Sequence, residues 1–437
     1  MPSTASILPE DHPRGWWVMA GVALSNLTLF GVTYSWGLYQ QAYLDGAYKG
    51  NSYFSLSLIG SITMCITFGG GLLMGPIVRR IGCQWPLLLG ILFVTLALLL
   101  ASFASKLWQL YLTQGILLGI GASFIFFSTS PLPAQWFRQK QGIASGLSLA
   151  GSSIGSIIYM IVTRVMIERL GTSWSLRITA AMTLVLSGAS WFLIRERVPP
   201  TPMTSTTWAF LDWGLFRKPT ITLLFFMSLI YTTSMMIPFF YLPDYATYIG
   251  LTPSQGTLIT MAYTFSNGVG LVLLGWVADR PWATKSATLL ISSVSAGLIS
   301  LCVWPFAHLP PIPLILMIFC LVHGALQGAF ITLIPLIAAA EVEADEAPSA
   351  IGLVLGGQLP GDLVGPAIFG ALLDSTAPEI SYLPAQMFVG SVTLVGALLL
   401  IPIRILQSCR TNDDGCIVDE VEGEKKRGIH EYLRENG

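Results

Sequence analysis

The stretch FSLSLIGSITMCITFGGGLLMGPIVRRIG, residues 54–82, carries no charge until Arg79 and Arg80. Its first 25 residues, Phe54 to Val78, are uncharged and mostly apolar. A helix needs ~20 such residues to cross the hydrocarbon of a bilayer. The run ends in a basic loop, Gly75-x-x-x-Arg79-Arg80-x-Gly82. Two hundred residues further on, Gly275-x-x-x-Asp279-Arg280 ends another apolar run in the same way. One membrane-crossing unit thus occurs twice, which is the mark of an internal repeat.

Working outward, twelve apolar segments are expected: about Gly15–Gly37, Phe54–Val78, Pro86–Ala104, Leu107–Ser130, Gly142–Met166, Ser175–Ile194, Thr220–Tyr241, Gln255–Ala278, Ala287–Phe306, Ile312–Ala338, Ala350–Leu373 and Gln386–Leu406. Only a helix or a closed barrel satisfies its own backbone in lipid, and strand-like alternation is missing. The fold class expected is therefore an all-α membrane protein with twelve transmembrane helices in two pseudo-symmetric six-helix bundles. Residues 15–194 form the first bundle and 220–407 the second. A Pro- and Thr-rich linker, 195–219, joins them, between an N-terminal segment 1–14 and a tail 408–437.

Composition agrees. Of the 437 residues 53% are hydrophobic and 10% charged, and the mean hydropathy is +0.69. A soluble domain carries ~25% charged residues. The net charge of −1 leaves no basic surface for nucleic acid. No phosphate-binding G-x-x-x-x-G-K-[ST] loop exists, which argues against an ATP-driven pump. The six cysteines form no metal-ligand cluster with histidine. No cofactor, metal or enzymatic activity is expected. Thirteen Lys and Arg flank the segments on one side, and four more lie in the tail, against five on the other side. The positive-inside rule then puts both termini in the cytoplasm, with the plasma membrane as the default residence.

The repeated loop resembles the G-x-x-x-D-[RK]-x-G signature of the major facilitator superfamily. WFRQKQGIASGLSLAGSSIG, Trp136–Gly155, is similar to the fifth-helix signature of its monocarboxylate-porter family. RGWWV at the first segment, PFFYLPDYA (Pro238–Ala246), WSLR (Trp174–Arg177) and GPAIFGALLD (Gly365–Asp374) resemble fungal members. The resemblance implies a secondary active transporter that moves a small organic molecule by alternating access, with protons as a possible co-substrate. Animal lactate porters of the family carry a lysine late in helix 1 and an Asp/Arg pair in helix 8. Those positions are about Tyr34, Asn267 and Leu271 here. The cargo implied is accordingly a monocarboxylate or a larger amphipathic metabolite, and export of a pathway product is as open as uptake. A non-transporting nutrient sensor on the same scaffold is the alternative.

A charge at membrane depth costs at least ~2.5 kcal/mol, so each one retained asks for a reason. Asp362, in GGQLPGDLVGP, either takes the coupling proton or caps the second half of a broken helix. His323 either titrates with Asp362 or packs within its bundle. Arg164 either meets an anionic substrate or snorkels to headgroups beside Glu168. The uncharged polar residues Asn26, Tyr34, Gln114, Tyr159, Tyr231, Tyr263, Asn267, Gln327 and Gln358 are candidates for binding, because the resemblance places their segments along or beside the cavity. A gate is expected at the basic side. Arg79 and Arg80 would face Glu341 and Glu343 of the acidic loop EVEADEAP, and Asp279, with Arg280 beside it in the same loop, would face Arg138 and Lys140.

Overall fold

The computed structural model describes residues 9–45, 53–197, 213–309, 312–344, 346–376 and 381–407. All its regular elements are helices. Eleven are long and apolar enough to cross a membrane, and a bent pair brings the count to twelve. They are α1 (Arg14–Gln40), α2 (Leu58–Gly69 with Gly71–Ile81), α3 (Gln84–Ala101), α4 (Leu107–Trp136), α5 (Gln141–Leu170), α6 (Thr172–Leu193), α7 (Pro219–Tyr248), α8 (Leu258–Ala278), α9 (Lys285–Phe306), α10 (Leu314–Ala340), α11 (Ala347–Leu373) and α12 (Leu383–Gln407). The end where α2 meets α3 and α8 meets α9 carries Arg79, Arg80 and Arg280, and is called the basic face below.

Packing repeats between the halves. Helix α1 lies on α5 and α6, α2 on α4, and α3 on α6; correspondingly α7 lies on α11 and α12, α8 on α10, and α9 on α12. Hydroxyls zip equivalent pairs together: Ser25 with Ser190 at 2.7 Å and Thr28 with Ser187 at 2.6 Å join α1 to α6. Ser234 with Thr393 at 2.8 Å joins α7 to α12. Each such bond is worth ~0.6 kcal/mol in a membrane protein. The lipid side is apolar. On α3, Leu89, Leu92, Leu96 and Leu99 stand exposed at helical spacing.

Two seams join the halves, α5 with α8 and α2 with α11. Both depend on glycine. A Cβ at Gly142 would strike the carbonyl of Gly275, and one at Gly352 would strike that of Gly71. Backbones approach this closely only where side chains are absent.

Three helices depart from the straight spans expected. Helix α2 bends by 43° at Gly70. Helix α11 breaks at Gly357, five residues before Asp362. Helix α4 contains a π-helical segment, Tyr111–Leu117, centred on Gln114. There Thr63 donates its hydroxyl to the Gln114 carbonyl at 2.6 Å.

Candidate functional site

Between the bundles, toward the basic face, lies a narrow cleft. Helices α1, α4, α5 and α10 wall it, and Asn26, Thr129, Ser130, Ser145 and Ser148 supply its polar lining. Asn26 donates through Nδ2 to the Ser148 carbonyl at 3.1 Å, while its Oδ1 is buried with no partner among the described residues. On α10 the lining residues are Ile331 and Pro335. Gln327 is one turn deeper on that same face. It is fully buried, and neither amide atom has a partner among the described residues.

Phe126 lines the cleft on α4. From it a string of rings crosses the molecule: Phe126 to Phe30 at 5.8 Å, Phe30 to Tyr34 at 5.6 Å, Tyr34 to Phe239 at 5.9 Å and Phe239 to Tyr263 at 4.8 Å. The Tyr34–Phe239 pair is nearly parallel, at 4°, and joins α1 to α7 across the bundles. Such contacts add ~0.5–1.5 kcal/mol each beyond burial. The string ends at His323. Its Nδ1 meets the Tyr263 hydroxyl at 3.1 Å, its Nε2 meets Ser300 Oγ at 3.4 Å, and its ring stacks on Phe319 at 4.9 Å. Asn267, one turn from Tyr263, donates to the Gly324 carbonyl at 3.2 Å.

Asp362 is buried, and both its carboxylate oxygens lack a partner among the described residues. Tyr34 and Cys65 are its electrostatic neighbours. Gln358 lies one turn before it, also buried. Two expectations are corrected here. Asp362 is not a cap: α11 breaks at Gly357, so Asp362 is the fifth residue of the following half-helix, beyond reach of its free N–H groups. Nor does His323 pair with it, because α10 turns that imidazole toward Tyr263 and α9.

Three further candidates stand apart from the cleft. Gln114 accepts from the Tyr43 hydroxyl at 3.0 Å inside the first bundle. Tyr159 packs on Gly31, with its hydroxyl beside Thr183. Tyr231 stacks on Phe330 at 4.6 Å under Gly396, within the second bundle. Arg164 is corrected as a substrate cation. Its side chain is 67% exposed and pairs with Glu168 at 3.1 Å, on the outside of α5.

At Asp279 the gate is built differently from the charge pairing expected. Asp279, just beyond α8, accepts from the backbone N–H of Gly142 at 2.7 Å and of Ile143 at 2.8 Å. It caps the first turn of α5 from the opposite bundle, where free N–H groups and the helix dipole favour an anion. Burial pushes its carboxyl above the ordinary 3.8, while the Ile143 and Gly142 donors pull the other way. Lys285 donates to Gln141 Oε1 at 2.5 Å beside it. Arg138 and Lys140 are exposed and make no ion pair among the described residues. Arg280 lies 3.9 Å over the ring of Trp276 instead. At the other seam Arg79 and Arg80 are half-buried at the end of α2, where Gly75 packs on Pro348 and Ser349. Glu343 is exposed, Glu341 accepts from Gln407 at 2.8 Å, and Glu346 pairs with Lys218 at 2.9 Å. Asp345 of that loop lies outside the described residues.

The family model described as Major Facilitator Superfamily matches residues 16–252 and 224–408. The chain belongs to the major facilitator superfamily. This superfamily member is 30% identical over 406 residues to MFS-type transporter 1 of Ophiocordyceps sp., covering 92% of this chain and 88% of the relative. It is 30% identical to the MFS-type transporter pynF of Aspergillus niger, over 92% and 91% of the two chains. It is 27% identical to the aspyridones efflux protein apdF of Emericella nidulans, over 98% and 85%. Among solved structures, the human organic anion transporter MFSD10 shares the fold at a TM-score of 0.69 and 12% identity, over 89% and 100% of the chains. The E. coli fucose:proton symporter FucP does so at 0.69 and 13%, over 88% and 98%. The superfamily protein is a membrane transporter, not an enzyme.

Sequence reasoning missed Phe30, Phe126 and Phe239, which form the ring string, and Gln141 and Lys285 beside Asp279. The phenylalanines carried a usable signal, since Phe30 falls one turn from both Asn26 and Tyr34 on α1. The N–H groups that hold Asp279 carried none, because every residue but proline has one.

Proposed function

We propose that the protein is a secondary active exporter of a small amphipathic organic metabolite, of monocarboxylate-porter type, with Asp362 as its proton site. Bundles 15–194 and 220–407 rock about the two glycine seams, with the linker 195–219 between them. The N-terminus 1–14 and tail 408–437 are cytoplasmic, and the membrane is the plasma membrane. The observation that carries the reading is Asp362: a buried carboxyl without a partner, beside the Tyr34–Phe239 pair that joins the bundles. A titratable acid at membrane depth is suited to carrying a proton. Exposure to one side lets it release that proton, which ties protonation to the conformational cycle. Export as the direction is supported by the relative named for aspyridones efflux.

The test is flux of labelled organic metabolites in proteoliposomes, with and without an imposed pH gradient, for wild type and Asp362→Asn. Gradient-driven flux that the variant loses, while exchange at equal pH persists, is the expected result. Gradient-driven flux unchanged in the variant removes Asp362 from coupling.

A further inference from the structure

We propose that Asn26 and Gln327 form a neutral polar anchor, one amide from each bundle, which seats an uncharged hydrogen-bonding molecule and turns away a carboxylate. The proposal rests on the transporter reading above and narrows its cargo. Buried amide atoms without partners are uncommon in folded proteins. Three such atoms lie on helices that wall the cleft: Asn26 Oδ1 on α1, and Gln327 Nε2 and Oε1 on α10. Asn26 lines the cleft from α1. Gln327 shares a helix face with Ile331 and Pro335, which line it from α10. The Asn26 amide cannot turn freely, because its Nδ2 is held on the Ser148 carbonyl. The anchor therefore presents two acceptors and one donor.

Charge decides the ligand class. Among the described residues no lysine or arginine is buried, and the one buried carboxylate is Asp362. The cleft lining itself holds only amide, hydroxyl and apolar groups. A carboxylate brought here loses its hydration and meets no cation. A neutral molecule with an O–H or N–H for the acceptors and a carbonyl for Gln327 Nε2 satisfies all three atoms. Phe30 and Phe126 lie against such a ligand's apolar body. A metabolite with an acidic group is carried in its neutral form.

The test uses full-length protein in lipid nanodiscs at pH 7.5 and two photoreactive probes with the same diazirine-bearing alkyl tail. One ends in an N-(2-hydroxyethyl)amide, the other in a carboxylate. Labelled peptides are mapped by mass spectrometry. The expected result is saturable labelling of α1 and α10 by the neutral probe, at least tenfold above the anionic probe. Labelling falls at least tenfold in Asn26→Leu and in Gln327→Met, which keeps the side-chain volume. Gln327→Lys supplies a cation and reverses the preference, so the test still decides if a neutral variant fails to fold. Equal labelling by the two probes, or labelling that none of these substitutions alters, overturns the anchor. Labelling is read without flux. Expected labelling in a protein that moves nothing defeats the transporter reading and keeps the anchor. Measurable flux with indifferent labelling does the reverse.

Discussion

Two half-buried carboxylates close two helix ends on the basic face, and they differ in where they come from. Glu196, just after α6, accepts from the N–H of Cys83 at the start of α3, so acid and helix belong to one bundle. Asp279, just after α8, accepts from the start of α5 in the other bundle. Burial pushes both carboxyls up from their ordinary values. The physics of the cap is the same in both places. What differs is whether the contact survives when the bundles move. Glu196 stabilises a folded unit, whereas Asp279 stabilises one position of two units.

The sharpest way to break this comparison is steric. In Gly142→Val the added side chain meets the Gly275 carbonyl, so the α5–α8 seam cannot close at the basic face. The expected outcome is near-complete loss of flux, with a basic face labelled by thiol reagents more than tenfold faster, and a normal elution profile. The counterpart is Gly82→Ala. Gly82 sits at φ +80 and ψ 176 against Glu196, a region nearly reserved for glycine that costs other residues about 1–3 kcal/mol. That variant should lose thermal stability while its labelling rate stays that of wild type.

Next come the acids themselves. Removing an N-terminal cap costs about 0.5–2 kcal/mol. In Asp279→Ala the loss falls on the closed state and shifts the populations by roughly 2- to 30-fold toward an open basic face, measurable as a distance distribution between spin labels. In Glu196→Ala the same loss falls on folding and lowers Tm by a few degrees, with distances unchanged. Matching effects from the two variants would erase the distinction drawn here.

A smaller effect is expected from pH. The closed state raises the Asp279 carboxyl through burial, and opening returns it toward 3.8. The closed state therefore binds more protons at mildly acidic pH. Its share grows as pH falls toward the raised value and is lost as pH rises above it. Asp279→Asn removes that component of the pH dependence. The least effect is expected from Lys218 and Glu346. Their bond is 2.9 Å, but both side chains are partly exposed, and it ties the end of the linker to the second bundle rather than one bundle to the other. An exposed pair is worth ~0–1 kcal/mol, so Lys218→Gln should change flux by less than twofold.

Much of the architecture was legible in the sequence, because hydropathy reports lipid directly. Twelve segments could be drawn, and the basic loops marked one face. The site was less legible. Charge complementarity pointed Asp279 at Arg138 and Lys140, yet its partners are amide groups that no side chain announces. Arg164 shows the limit of depth alone: helical phase sends it outward to Glu168. The cap alternative for Asp362 placed the helix break at Pro360 and Gly361, whereas α11 yields earlier, at Gly357. Asn26 and Gln327 stood undistinguished among nine uncharged polar candidates, and only the packing reveals which of their atoms lack partners among the described residues.

Helix α4 carries one further lesson, in its π-helical turn from Tyr111 to Leu117. Each residue of an α-helix advances the wheel by about 100°, and a π-turn holds one residue too many. Everything from Leu118 to Trp136 is thus out of phase with Leu107–Leu110 by about one step of the wheel. A wheel drawn through the whole of α4 assigns half of it to the wrong neighbours. A substitution scan along this helix will show two clean rhythms with a skipped beat at Gln114.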